Sequence, residues 1–80
     1  MAVVTVLYFA SLRDARGLAS EQVESAAADL QDLYAELQSR HGFTLPVNGL
    51  RVAMDGDFAR WGDSVRDGSE IAFIPPVSGG

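Results

Sequence analysis

Residues 3–9, Val-Val-Thr-Val-Leu-Tyr-Phe, carry β-branched and aromatic side chains on alternate sides, which predicts a strand. Val4, Val6 and Tyr8 share one face, and Thr5, Leu7 and Phe9 the other. Residues 10–17 hold Arg13, Asp14 and Arg16 and read as a turn or short helix ended by Gly17. Glu21-Gln22-Val23-Glu24-Ser25 is a polar candidate strand, suited to a hairpin or an edge. The pattern then changes period. Leu30, Leu33, Tyr34 and Leu37 fall at i, i+3, i+4 and i+7, one apolar stripe of a helix. Asp29 stands at its N-cap and Asp32 in its first turn, Arg40 and His41 in its last, with Gly42 just beyond. Pro46 blocks an extension.

Leu50 to Met54 reads as a third strand, followed by the hairpin signal Asp55-Gly56, with Phe58 just past it. Residues 60–67, with Trp61, Gly62 and Val65, read as irregular or short strand structure. Asp67-Gly68 is a second turn, and Glu70 to Ile74 a last strand that Pro75 and Pro76 bring to an end, since neither has an N–H to donate. The expected fold is α+β: a small mixed sheet, one main helix packed across one face and an extended C-terminal tail, the ubiquitin-like β-grasp arrangement. Eighty residues make a single domain, 1–80, with 75–80 as a tail. So short a chain can bury one small core but not also enclose a deep substrate pocket, so its chemistry is expected to be shared with a partner.

Composition narrows the classes. The chain has no cysteine, which removes disulfides, thiolate metal sites and a cysteine nucleophile. It also argues against secretion, because small secreted domains depend on disulfides. The N-terminal apolar run has no basic segment ahead of it and is too short to span a bilayer, so the expected compartment is the cytoplasm. The net charge of −5 repels phosphate backbones and disfavours nucleic acid as a partner. The same surface suits a basic protein. All six basic residues are arginines, so no lysine is present to form an isopeptide bond with another copy.

With Val4, Val6, Tyr8, Ile71 and Phe73 turned toward the helix, Leu7, Phe9, Ala72 and Ile74 turn away, and Phe58 is a candidate to join them. Single exposed apolar side chains are ordinary, but a contiguous patch marks a partner surface, and this one leads into the tail. The tail reads Pro75-Pro76-Val77-Ser78-Gly79-Gly80. Its two glycines can thread a narrow channel, and the prolines hold its base extended, lowering the entropy cost of insertion. Such an end suits activation of the α-carboxylate of Gly80. Adenylation by a partner supplies a leaving group, and sulfide or a persulfide can displace AMP to leave a thiocarboxylate, a sulfur nucleophile that needs no cysteine. A terminal Gly-Gly pair by itself more often marks a frayed end.

A wider set of residues sharpens this reading. Asp67-Gly68-Ser69-Glu70-Ile71-Ala72-Phe73-Ile74-Pro75-Pro76-Val77-Ser78-Gly79-Gly80 resembles the C-terminal signature D-G-x-E-[VI]-A-x-x-P-P-V-[ST]-G-G of molybdopterin synthase small subunits, sulfur carriers of the ubiquitin-like β-grasp family. Val6-Leu7-Tyr8-Phe9-Ala10, followed by Arg13 and Gly17, is similar to the family's N-terminal stretch. The likeness spans nearly the whole chain and is weakest over residues 43–66. It implies that a ubiquitin-activating-type enzyme adenylates Gly80 with ATP and that a sulfur donor protein supplies the thiocarboxylate. The tail then enters the large subunit of molybdopterin synthase, a heterotetramer, and gives its sulfur to a cyclic pyranopterin precursor to build the dithiolene. It further implies that Phe9, Phe58 and Ile74 contact the large subunit and that residues 75–80 enter its pocket. On this reading the chain binds no cofactor tightly and is not an enzyme on its own, but the non-catalytic sulfur-donor subunit of a sulfur transferase.

The remaining chemistry-bearing residues point to bland roles. His41, the only histidine, suits the helix dipole better than catalysis. Asp55, Asp57 and Asp63 lack calcium-loop spacing and read as solvated turn carboxylates, so no metal site is expected. Trp61 reads as a packing residue, and Arg13 as a possible partner for an acid in the N-terminal turn. Ser11, Ser20 and Ser64 have no base that would make a triad. Two other functions stay open: a carrier for thiamin, cysteine or tRNA thiolation, or a ubiquitin-like modifier, and an interaction module whose tail has no chemistry. The Pro-Pro-Val-Ser segment before Gly-Gly favours the synthase subunit.

Overall fold

A computed structural model describes residues 1–76. The elements run β1 (Ala2–Tyr8), α1 (Ala10–Arg16), β2 (Ser20–Ser25), α2 (Leu30–His41), a 3₁₀ turn over Val47–Gly49, β3 (Arg51–Met54), β4 (Asp57–Phe58) and β5 (Glu70–Ile74). The strands form one sheet in the order β2-β1-β5-β3-β4. The two central strands, β1 and β5, are parallel, and every other neighbouring pair is antiparallel.

Register explains the core. Val6 lies opposite Ile71, Tyr8 opposite Phe73, and Phe73 opposite Val52. These residues, with Val4 and Val23, are buried beneath α2 together with its Leu30, Leu33, Tyr34 and Leu37. Tyr34 meets Phe73 with ring centroids 5.2 Å apart. Each fully buried Leu or Phe in this layer contributes about 2 kcal/mol. Leu12 of α1, Phe43 and Leu50 close the ends of the same cluster. The arrangement is the ubiquitin-like β-grasp.

The ends of α2 follow from local chemistry. Asp29 Oδ1 accepts from the Asp32 N–H at 2.8 Å, and the Gly42 N–H, at φ 72°, donates to the Gln38 carbonyl. The Leu30 and Gln31 N–H groups donate to the Asp63 and Trp61 carbonyls at 3.0 Å each. Loop 60–67 thus satisfies donors that a helix start leaves free. It forms one isolated bridge, Ser64 with Asp29, rather than a strand. The β3 strand begins one residue later than Leu50, because the Leu50 N–H is tied to the Val47 carbonyl at 3.0 Å and its side chain is buried. Asp55 (φ 54°) and Gly56 (φ 91°) are both left-handed, the backbone of a tight hairpin joining β3 to β4.

Candidate functional site

The sheet face turned from α2 is divided in two. Pairing sets Leu7 beside Ala72, Ala72 beside Ala53, and Ala53 beside Phe58 in one row across four strands. Ile74 lies opposite Arg51 in the next row, and Phe9 follows directly after β1. The other end of the same face is polar, with Gln22 opposite Thr5 and Thr5 opposite Glu70. The apolar half is therefore the half where the chain leaves β5. Its members differ in exposure. Phe58 is 71% exposed and Phe9 43%, while Leu7 and Ile74 are half-buried. Ala72 departs from the expected exposed patch: it is buried, because a small side chain on a central strand is shielded by its neighbours on both sides. Ala53, not anticipated, supplies the step between Ala72 and Phe58. Only the pairing register reveals it.

Two features hold the large aromatics outward. The Arg51 guanidinium sits 5.6 Å from the Phe58 ring centroid, a cation–π contact. After Phe9 the backbone turns through Ala10 at φ 50°, a left-handed conformation that costs an alanine about 1 kcal/mol. The Leu12 and Arg13 N–H groups then reach back to the Phe9 carbonyl.

The tail leaves between two shallow grooves. Phe9, Ala10, Ser11 and Arg13 line one; Asn48, Leu50, Arg51 and Phe58 line the other. Ile74, Pro75 and Pro76 line both. The structure thus gathers Phe9, Phe58 and Ile74 around the base of the tail. Val77, Ser78, Gly79 and Gly80, the residues assigned the insertion and the sulfur chemistry, lie outside the described residues.

A second polar cluster escaped sequence reading. The Tyr8 hydroxyl donates to Glu21 Oε2 at 2.6 Å, and Arg16 donates to both Glu21 oxygens at 2.9 Å. His41 Nε2 is 3.6 Å from Glu21 Oε2. The Arg16 hydrogen bonds hold the Glu21 carboxyl below its ordinary range, and the Tyr8 hydrogen bond adds to this. Burial pushes the Tyr8 hydroxyl up, with the Glu21 carboxylate acting in the same direction. Burial also pushes the His41 imidazole down, and nearby Arg16 reinforces that against the opposite pull of the Glu21 carboxylate.

The other residues fall into structural places. Asp55 Oδ1 accepts from the Glu70 N–H at 2.9 Å, and Asp63 Oδ2 from the Arg60 N–H at 3.0 Å. Trp61 stacks on Phe73 with centroids 5.9 Å apart. It is Arg16 of α1, one turn on, that pairs with an acid, Glu21 of β2, whereas Arg13 is exposed and forms no ion pair among the described residues. No helix among the described residues is long and apolar enough to cross a membrane.

Comparison with known proteins places this geometry. The ThiS family model matches residues 6–80. The human molybdopterin synthase sulfur carrier subunit is 35% identical, with 96% of this chain and 93% of that protein aligned. Among solved structures, SAMP1 from Haloferax volcanii superposes with a TM-score of 0.80 at 26% identity, covering 99% of this chain and 100% of its own. A chain from the complex of subunits 1 and 2 of the molybdopterin-converting factor of Helicobacter pylori gives 0.67 at 25% identity, covering 98% and 99%. A family match that begins inside β1 and continues through the tail takes in every element of the fold, and the chain belongs to the ThiS family.

Proposed function

We propose that this protein is the sulfur carrier subunit of molybdopterin synthase, with sulfur carried at the C-terminal carbonyl of Gly80. The observation that carries the reading is the alignment with the human carrier subunit along 96% of the chain. The geometry agrees with it, because the apolar half of the outer face surrounds the point where the tail departs. In the first step an oxygen of the Gly80 carboxylate attacks the α-phosphorus of ATP on a ubiquitin-activating-type enzyme, and pyrophosphate leaves. Hydrosulfide, released from the persulfide of a sulfur donor protein by a thiol reductant, then attacks the acyl carbon. AMP leaves with the C–O bond electrons, a proton is released, and a thiocarboxylate remains. The tail enters the large subunit, where the thiocarboxylate sulfur displaces an oxygen group on a cyclic pyranopterin precursor to form a thioester, and water then hydrolyses that thioester, leaving the sulfur on the pterin and restoring the Gly80 carboxylate.

This chain's contribution is positional. Pro75 and Pro76 direct the tail away from β5, Gly79 and Gly80 pass a narrow channel, and Phe9, Phe58 and Ile74 seat the domain on the large subunit in a heterotetramer. The acid–base groups of the transfer belong to the partner, and the chain itself holds no cofactor. Intact mass after incubation with the adenylating enzyme, ATP and a sulfur source tests the chemistry. Replacing one carboxylate oxygen by sulfur adds about 16 mass units. No gain, where another carrier from the same cell does react, refutes it. Likeness to SAMP1 favours a second reading, a protein modifier. That reading is distinguished by isopeptide-linked products on other proteins in place of sulfur in the pterin.

A further inference from the structure

The two grooves beside the tail reverse the charge balance of the molecule. Eleven acidic residues face six arginines in the chain, yet each groove is lined by one arginine and no acid among the described residues. Arg16 and Arg40 are spent on Glu21 and Glu36. Arg13 and Arg51 are not: both are exposed, and neither meets a carboxylate within ion-pair distance among the described residues. They flank Ile74-Pro75-Pro76 from opposite sides, Arg13 from α1 next to β1 and Arg51 from β3, with β5 between them. Arg51 is held in place by the Phe58 ring and lies opposite Ile74 in register.

We propose that Arg13 and Arg51 are specificity residues that dock the tail base onto carboxylate side chains at the mouth of the partner's tail channel. The inference rests on the proposed function, since it needs a partner that takes the tail. Several observations favour protein carboxylates over a small anion. Each arginine lines its own groove, one on either side of β5, which suits two separate carboxylates better than one small anion. Each lies beside exposed apolar surface, Phe9 for Arg13 and Phe58 for Arg51, so the complementary surface must offer apolar and acidic groups together. Guanidinium groups also pair with carboxylates in a fixed two-pronged geometry, which fixes the direction in which the tail enters. Acids at the channel mouth of an otherwise basic partner would reject a carrier docked in any other orientation.

The test is association of the full-length chain with the large synthase subunit of the same cell, followed at low and at high salt. Arg13→Glu and Arg51→Glu are each expected to slow association about tenfold at low salt. The loss should shrink at high salt, where exposed charges are screened. Arg66→Glu makes the same change in net charge, from −5 to −7, on an exposed loop just before β5, at the far end of that strand from the tail. It should stay within about twofold of wild type. Arg51→Lys, which keeps charge but loses the planar fork, separates charge from the packing of Phe58 and should retain most of the rate. The proposal is overturned if Arg66→Glu is as slow as Arg13→Glu, or if both groove variants associate like wild type. A wild-type chain that does not bind the large subunit at all refutes the proposed function instead.

Discussion

Replacing Tyr8 by phenylalanine removes one oxygen from the structure and leaves the core otherwise filled. The ring stays buried at the end of β1, edge-on to Phe43 with centroids 5.7 Å apart. What goes is a 2.6 Å hydrogen bond to Glu21 Oε2. Hydrogen bonds to charged groups contribute about 1.5–3 kcal/mol. Here Glu21 Oε2 keeps its bond from Arg16 Nε at 2.9 Å, so the carboxylate is not orphaned and the loss belongs at the lower end, about 1.5 kcal/mol. In a domain of this size that lowers Tm by about 6–12 °C. Two thermal or urea unfolding series decide the matter. In the first, Tyr8→Phe is compared with wild type at pH 7. In the second, both are made in a Glu21→Gln background, where the acceptor survives without its charge and the cost of losing the hydroxyl should fall to about 0.5–1 kcal/mol. Acid gives an independent arm. The folded-state pKa of Glu21 is depressed, so its contribution is complete above the unfolded carboxylate value and is lost as pH falls through the folded value. The gap between wild type and Tyr8→Phe should therefore narrow across that acid window. Equal stability of the two proteins at pH 7, or an unchanged gap in the Glu21→Gln background, would refute the reasoning.

Two further outcomes follow from the same geometry. Burial and Arg16 depress the His41 pKa below the ordinary histidine value, so between that folded value and about pH 6.5 the unfolded chain binds more protons. Stability should then fall as pH drops from about 6.5, and His41→Gln should flatten that slope in unfolding curves taken at successive pH values. Phe58→Asp changes a side chain that is 71% exposed, so Tm should move by less than about 3 °C while large-subunit binding, measured by calorimetry, weakens by at least tenfold.

The parts of the fold that sequence predicts well are those decided by neighbours a few positions apart. Alternation from Val4 to Tyr8, the Leu30-Leu33-Tyr34-Leu37 stripe, the Asp29 and Gly42 ends and the Asp55-Gly56 turn all stand as read, because caps, stripes and tight turns are local physics. What depends on strands meeting does not show in the same way. Ala53 joins the outer patch only because β3 pairs with both β5 and β4, and Ala72 is covered only because it lies between Leu7 and Ala53. The Glu21 cluster draws on β1, α1, β2 and α2 at once. Arg13 and Arg16 are one helical turn apart, and nothing in their spacing says which finds the acid. The tail reading rests on the opposite ground: the chemistry proposed for it is argued from residue types, Pro-Pro followed by Gly-Gly, which need no tertiary context.

The parallel pairing of β1 with β5 has a consequence for synthesis and quality control. The strand that completes the middle of the sheet is the last one made, and the tail starts at the residue after it. A nascent chain therefore holds β1 and α2 without their central neighbour until Ile71 and Phe73 have left the ribosome. A chain that stops short of Ile71 lacks two fully buried core residues, Ile71 and Phe73, and is expected to stay unfolded and open to proteolysis.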